Sequence, residues 1–353
     1  MIDRTLLLVA LVTLCLALTG CGKEESSNAR PNNDPHRAQV LPTTLKEIGL
    51  VPATVMYLPD APAGHVETAR QIVQRINSNV AVLDDYPTQW NEAAVVIKPI
   101  DRETFTPLSV EQLSHRGRGL TLRQAQALQE SKEALAMLFV APPPTQNGSL
   151  KVINETILEI ANATGGLIYD DETREMFTPE LWRRMRLGHW HGDLPDVRAQ
   201  VGIHAAPSGE RYRAVTLGMS KMGCPDIVVD ALPPKRIDAM GGLMNLVAQT
   251  LVEQAMLPAG GTIAVDIEKL EHRTHRSDQL ALREPGAQRI VDVDFRIADA
   301  QPGDPKDTLL IELTFTGVEG DTPQQRQAGL LRQVYGEAIV EAAVTAEPEG
   351  ATP

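Results

Sequence analysis

The residues with the sharpest chemical promise are Gly188-His189-Trp190-His191-Gly192-Asp193. On an extended backbone alternate side chains point the same way, so His189, His191 and Asp193 would share one face. Neutral imidazoles and a carboxylate suit zinc, and three protein ligands leave a fourth position open for catalysis. The competing reading is a linker packed around Trp190, because the segment follows the basic amphipathic TPELWRRMRL and runs into Pro195. His272 and His275 have a spacing that fits one helix face, without a third ligand beside them.

Other reactive residue types are scattered. Cys224 precedes Pro225 in a turn, with Lys221 as the nearby cation that would lower a thiol pKa; a small buried hydrophobe or an interchain disulfide are the other readings. Ser220, in GMSKMG, misses the nucleophile elbow, because Met222 stands where a glycine must permit the sharp turn. Arg116-Gly117-Arg118-Gly119 with Arg123 could grip a phosphate or carboxylate, although a solvated loop before a helix accounts for the same residues. Asp170, Asp171 and Glu172 could offer oxygens to calcium, but a hairpin turn explains them with fewer assumptions. The chain has no P-loop, no dinucleotide glycine pattern and no Ser-x-x-Lys pair.

The His-x-His-x-Asp core of residues 189–193 resembles the metal motif of metallo-β-lactamase-type hydrolases, which implies a zinc-dependent hydrolase. That motif continues with a histidine, and Leu194 stands in its place.

A different signal opens the chain. Thr5 to Leu18 reads TLLLVALVTLCLAL, without a charge and too short to cross a hydrocarbon core of about 30 Å comfortably. Its proportions are those of a signal-peptide apolar region. Leu18-Thr19-Gly20-Cys21 then resembles the lipobox of bacterial lipoproteins. The resemblance implies cleavage before Cys21, a diacylglyceryl group on its sulfur and anchorage in a bilayer. Two acyl chains suffice for stable anchoring where one does not. Gly22, where inner-membrane lipoproteins of many diderm bacteria carry Asp, points to the outer membrane and its periplasmic face. The polar stretch KEESSNARPNNDPHR cannot bury enough apolar surface to order itself and reads as a flexible tether.

Composition narrows the classes further. The formal charge is −13 and aromatics make up 4% of the 353 residues, which argues against nucleic-acid binding and against electrostatic adhesion to anionic lipid. Of three cysteines, Cys15 leaves with the signal peptide and Cys21 is acylated, so Cys224 remains a free thiol with no intramolecular partner. An ordinary apolar core must then hold the exported body together.

The elements that must position these residues follow from periodicity. Thr54 to Leu58, Ala93 to Ile97 (stopped by Pro99) and Ala134 to Val140 read as strands. Helices carry Val66, Ala69, Ile72, Val73 and Ile76, then Leu150, Ile153, Ile157 and Ile160, the second closed by Gly165-Gly166. Thr121 opens a further helix with a capping box, and Leu167 to Phe177 reads as a hairpin turning at Asp171-Glu172. Strand–helix–strand repeated twice is the order of a ferredoxin-like sandwich. In the second half, strands are expected at Val197 to His204, Tyr212 to Met219, Ile227 to Ala231, Ile263 to Ile267, Val291 to Ile297 and Leu309 to Phe315. One helix carries Met240, Leu243, Met244, Val247 and Leu251, and Thr322 caps the last.

The fold class is therefore α+β, with two sandwich-like domains, residues 42–190 (ferredoxin-like) and 195–343. Before them come a signal peptide (1–20) and a lipidated tether (21–41); after them comes a disordered tail (344–353). Thr164 to Glu180 and Thr216 to Asp226 also resemble segments of bacterial α+β domains of unknown function, a resemblance that implies no catalytic residue. The expectation is a membrane-anchored lipoprotein that works as a binding or interaction module. It would contact the bilayer through Cys21 and a periplasmic protein partner, without cofactor or nucleic acid. The alternative is a zinc-dependent hydrolase using His189, His191 and Asp193.

Overall fold

The computed structural model describes residues 49–57, 60–85, 93–141, 146–255, 257–258, 260–305, 308–337 and 339–340. The expected signal peptide, lipobox, tether and tail lie outside them. The class is α+β, built on two large sheets and one short hairpin.

The first half contributes β1 (Gly49–Met56), α1 (His65–Ile76), β2 (Ala81–Leu83), β3 (Ala94–Asp101), α2 (Val110–Arg116), β4 (Gly117–Arg118) and α3 (Leu122–Leu128). It continues with β5 (Glu133–Ala141), α4 (Gln146–Thr164), β6 (Leu167–Asp170) and β7 (Glu175–Phe177). Their sheet runs β2-β3-β5-β1-β6-β7-β4. Its centre, β3-β5-β1-β6, is antiparallel throughout, with α1 and α4 as the two crossovers. That is the ferredoxin-like order expected from the sequence, with α2, β4 and α3 inserted before β5. β1 lies in the middle, paired with β5 from Gly49↔Ala141 to Met56↔Ala134 and with β6 from Ala53↔Asp170 to Met56↔Leu167.

Local sequence explains most boundaries. α1 buries His65, Ala69, Ile72 and Val73, with Val66 and Ile76 half-buried at the flanks of that face. Thr121 and Gln124 form the expected capping box of α3, and Ser109 with Gln112 forms another on α2. α4 ends where Gly165 adopts φ +74°, and the N–H groups of Gly165 and Gly166 both donate to Ala161 O. Gly166 is also required by packing, since a Cβ there would lie 2.2 Å from Val55 Cγ1. Pro99 does not stop β3, contrary to expectation. β2 pairs only with Ala94 to Val96, and among the described residues no strand pairs with that side of β3 beyond them, so a residue without an N–H is tolerated there.

α5 (Pro179–Trp182) runs into a π-helical turn (Arg183–Leu187), followed by the hairpin β8 (Trp190–His191) and β9 (Leu194–Pro195). The second half then adds β10 (Gly202–Ser208), β11 (Arg211–Leu217), β12 (Asp226–Leu232), α6 (Ile237–Gln254) and β13 (Thr262–Asp266). After these come α7 (Arg273–Ala281), β14 (Ile290–Ala298), β15 (Leu310–Leu313) and α8 (Pro323–Tyr335). The sheet order is β10-β11-β12-β15-β14-β13, with β12 and β15 parallel and the other neighbours antiparallel.

α6 buries Met240, Leu243, Met244, Val247 and Leu251, the stripe legible in the sequence; each such side chain contributes about 1.5–3 kcal/mol on burial. The strand expected from Val197 begins only at Gly202. Asp196 accepts from Arg198 N at 3.1 Å and turns residues 197–199 into a 3-10 segment instead. One continuous cluster of buried apolar residues runs from Val51 and Phe139 in the first half to Val293 and Leu331 in the second.

Candidate functional site

Where the two sheets meet, a charged cluster is buried. β6 ends at Asp170, and the turn that follows is shaped by Thr173 N donating to Asp170 Oδ1 (3.2 Å) and Arg174 N to Asp170 O (2.8 Å). Asp170 Oδ2 accepts from Arg186 Nη2 at 2.6 Å and from Lys221 Nζ at 2.9 Å. All three residues are buried, at 2%, 1% and 3% exposure. Arg186 comes from the π-helical turn and also donates to Ala199 O (2.6 Å) and Thr173 Oγ1 (3.0 Å). Its guanidinium carbon stands 4.6 Å from the Phe177 ring centre and 5.6 Å from that of Trp182. Lys221 lies on a 3-10 turn, Met219–Met222, between Gly218 (φ +106°) and Gly223 (φ +67°). A Cβ on Gly218 would meet Lys221 Cε at 2.9 Å, so the glycine makes room for the lysine.

Burial alone would raise the Asp170 pKa, but Lys221 and Arg186 outweigh it and hold the carboxylate well below its usual range. Burial pushes the Lys221 ammonium down, with Asp170 opposing. Three more carboxyls stand nearby. Asp171 accepts from Thr54 Oγ1 (3.0 Å) and Glu172 from Ser220 Oγ (2.9 Å). Desolvation pushes Asp171 up to about 7 and raises Glu172 as well. Asp226, fully buried, accepts from Thr216 Oγ1 (2.9 Å), Met219 N (3.2 Å) and Thr308 Oγ1 (3.3 Å). Desolvation, with Glu172 adding to it, takes its pKa to about 7.

The arrangement holds a junction. A carboxylate gripped by two buried cations is a poor proton acceptor, and its partners are spent on it. Ser220 sits on a 3-10 turn between two strands, not on a strand-to-helix elbow, so its geometry also departs from the nucleophile motif that its sequence approaches. The acidic run 170–172 is the turn of the β6–β7 hairpin, with Ile168 opposite Phe177, as expected.

The histidine cluster is arranged differently from the extended face that alternation suggests. Gly192 adopts φ +62° and, with Asp193, makes a tight turn between β8 and β9, in which His191 opposes Leu194. Asp193 therefore leaves the face of His189 and His191, and all three side chains are exposed. Trp190 anchors the hairpin instead: its Nε1 donates to Arg186 O at 2.7 Å and Lys151 Nζ stands 5.8 Å from its ring centre. Among the described residues no group of three or more His, Cys, Asp or Glu side chains is placed to hold a metal.

His272 and His275 do come together, though not as one helix face. His272 precedes α7 and caps it, its Nδ1 accepting from His275 N at 3.3 Å. Asp196 lies 3.2 Å from His275 Nδ1 and 3.9 Å from His272 Nδ1. Burial would raise Asp196, but hydrogen bonds from Arg198 (Nη2 at 2.6 Å) and His275 hold it well below the usual range. Gln279 Nε2 lies 3.4 Å from His275 Nε2, and Gln279 Oε1 accepts from Tyr335 OH at 2.7 Å. The three-residue histidine spacing was the only trace of this network in the sequence; Asp196 is remote from it along the chain.

Cys224 is buried, and its Sγ–H donates to Met222 O at 3.6 Å. Arg118 donates twice to Glu175 Oε1, at 2.9 and 2.5 Å, while Arg123 is exposed on α3. Comparison with protein families, with curated proteins and with solved structures finds no match.

Proposed function

We propose that the chain is a membrane-anchored bacterial lipoprotein facing the periplasm, and that its folded body is a binding module. The observation that carries this reading is Leu18-Thr19-Gly20-Cys21 at the end of an uncharged apolar run, followed by a polar stretch. Gly22 supports the outer membrane over the inner. Among the described residues no helix is long and apolar enough to cross a membrane. In the body, Asp170, Arg186 and Lys221 fasten two sheets, which suits a rigid surface presented to a periplasmic protein or ligand. The zinc-hydrolase alternative needs His189, His191 and Asp193 to meet, and the β8–β9 turn parts them.

The test is Cys21→Ser in a bacterium fed radiolabelled palmitate. The variant should lose the label and accumulate as a larger, unprocessed precursor. Label at the wild-type level in the variant would overturn the lipoprotein reading.

A further inference from the structure

A cavity of about 260 Å³ opens between the C-terminal end of α1, the first turns of α4 and the sheet beneath them, where β3 begins and β5 ends. Its floor is Val73, Ala94, Phe139, Val140, Ile153 and Thr156, all buried. Asn77, Val80, Ala93, Ser149 and Val152 are half-buried and line the mouth. The cavity therefore has a depth and an entrance. Local sequence shapes it. Ala93 and Ala94 line it where β3 goes on with Val95, Val96 and Ile97, so short side chains leave room at that end of the strand. On α4, Ser149, Val152, Ile153 and Thr156 recur at the helical spacing and share one face. Among the described residues that line the cavity none is charged, although α4 carries Lys151 and Glu155 between its lining positions.

The polar side chains of the lining are already engaged. Thr156 Oγ1 donates to Val152 O at 2.7 Å, within α4. Asn77 Oδ1 accepts from Asn79 N at 3.1 Å, and Ser149 is partnered as well. A polar or ionised group brought to the floor would lose its water and gain no hydrogen bond or counter-charge in return. An apolar group has the opposite balance. It leaves water, and it supplies dispersion contacts that the floor side chains lack across an open space. Size sets a second limit. An engineered apolar cavity of about 150 Å³ takes up benzene, and 260 Å³ corresponds to about eight or nine groups the size of a water or a methylene.

We propose that this cavity binds an aliphatic group of about eight carbons, carried by a molecule whose polar end stays at the half-buried mouth. The floor is preformed: Ala94 pairs with Val140 and Val95 with Phe139 in the β3–β5 ladder, which fixes the strands from which Phe139 and Val140 project. An acyl chain of a lipid and the chain of a free alcohol or acid share this chemistry. The site deepens the binding-module reading by giving its ligand a chemical class, and rests on that reading only for its physiological meaning.

The test is photolabelling of the full chain, solubilised in cholate, a fused-ring detergent without a long alkyl chain. The probe is octanol carrying a diazirine, and the labelled peptides are mapped by mass spectrometry. Label should saturate below about 1 mM, fall within residues 73–80, 139–140 and 149–156, and be largely removed by excess octanol. Lysophosphatidylglycerol as a second competitor separates the sources: displacement by both assigns a lipid chain, and displacement by octanol alone assigns a free small molecule. Val152→Trp, which adds apolar volume at the mouth, should lower the label about fivefold or more. Its melting temperature should be unchanged or higher, because the indole takes over contacts that the floor lacks. Val80→Phe, in the α1–β2 connection, should lower the label likewise, so the result does not hang on one variant. Label that fails to saturate, that falls outside those segments, or that persists at the wild-type level in both variants would overturn the site. Such a result would leave the acylation of Cys21, read by its own label, untouched.

Discussion

Lys221 Nζ lies 2.9 Å from Asp170 Oδ2, and that contact joins the β11–β12 turn of the second sheet to the end of β6 in the first. Arg186 approaches the same oxygen from the π-helical turn, so one carboxylate oxygen gathers three separate parts of the chain. Removing one member of such a buried group leaves an uncompensated charge in the interior.

Lys221→Met should therefore lower unfolding stability by about 3–5 kcal/mol, measured by urea denaturation. Asp170→Asn combined with Lys221→Met should lose less than the sum of the single losses, because the Lys221 charge is then no longer stranded by loss of Asp170 and only Arg186 is left without that carboxylate. Additive losses in that double-mutant cycle would show that the contact does not couple the sheets.

The buried carboxyls set a pH dependence with two limbs. Asp226 has a folded pKa of about 7, above the unfolded value, so its contribution is complete at low pH and disappears as pH rises through about 7. Asp171, half-exposed, acts in the same direction and more weakly. Asp170 is depressed, so its contribution holds above the ordinary carboxylate pKa and disappears as pH falls below it. Stability should peak where the two limbs cross, near the ordinary carboxylate pKa of about 4, and fall by on the order of 4 kcal/mol toward pH 8. Asp226→Asn, which keeps an acceptor for Thr216, should flatten the upper limb and be more stable than wild type at pH 8. A variant that is less stable at pH 8 would refute the assignment.

His189 and His191 are exposed beside a hairpin that Trp190 fixes. Replacing both with Ala should cost on the order of 1 kcal/mol or less. The full chain should purify without stoichiometric zinc, and chelator should leave its melting temperature unchanged. One zinc per chain after dialysis, lost in the double variant, would restore the metal reading.

Cys224 is 5% exposed and lies behind the Met219–Met222 turn. In a chain carrying Cys21→Ser and Cys15→Ser, its thiol should react slowly with a thiol reagent when native and fully in denaturant. Native labelling faster than that of a free cysteine peptide at the same pH would mean an activated thiol.

The sequence made the regular elements readable and the junction nearly invisible, for a physical reason. α6 and α8 announce themselves because their apolar residues recur with the helical period, and Thr322 with Gln325 makes a capping box three residues long. β1, α1 and β5 are similarly legible, and together with α4 they yield the ferredoxin-like order. β2 is not legible because three residues, one exposed and two half-buried, carry no period. The Asp170 group was missed because its partners Arg186 and Lys221 lie 16 and 51 positions away, beyond any local pattern. Residues 189–193 misled in the opposite way: the alternation is real in the sequence, but Gly192 permits a left-handed turn that breaks it.

The placement of β1 has a mechanical consequence. Its N-terminal end carries the chain toward Cys21, and the strand lies in the middle of its sheet between β5 and β6. A pull from that end runs along the strand, against the eight-residue ladder to β5 and the four-residue ladder to β6 together. The load is shared as shear across many hydrogen bonds, where an edge strand such as β10 would peel away one bond at a time. If the chain is anchored through Cys21 as proposed, the body would resist drag in the direction in which its sheet is hardest to tear.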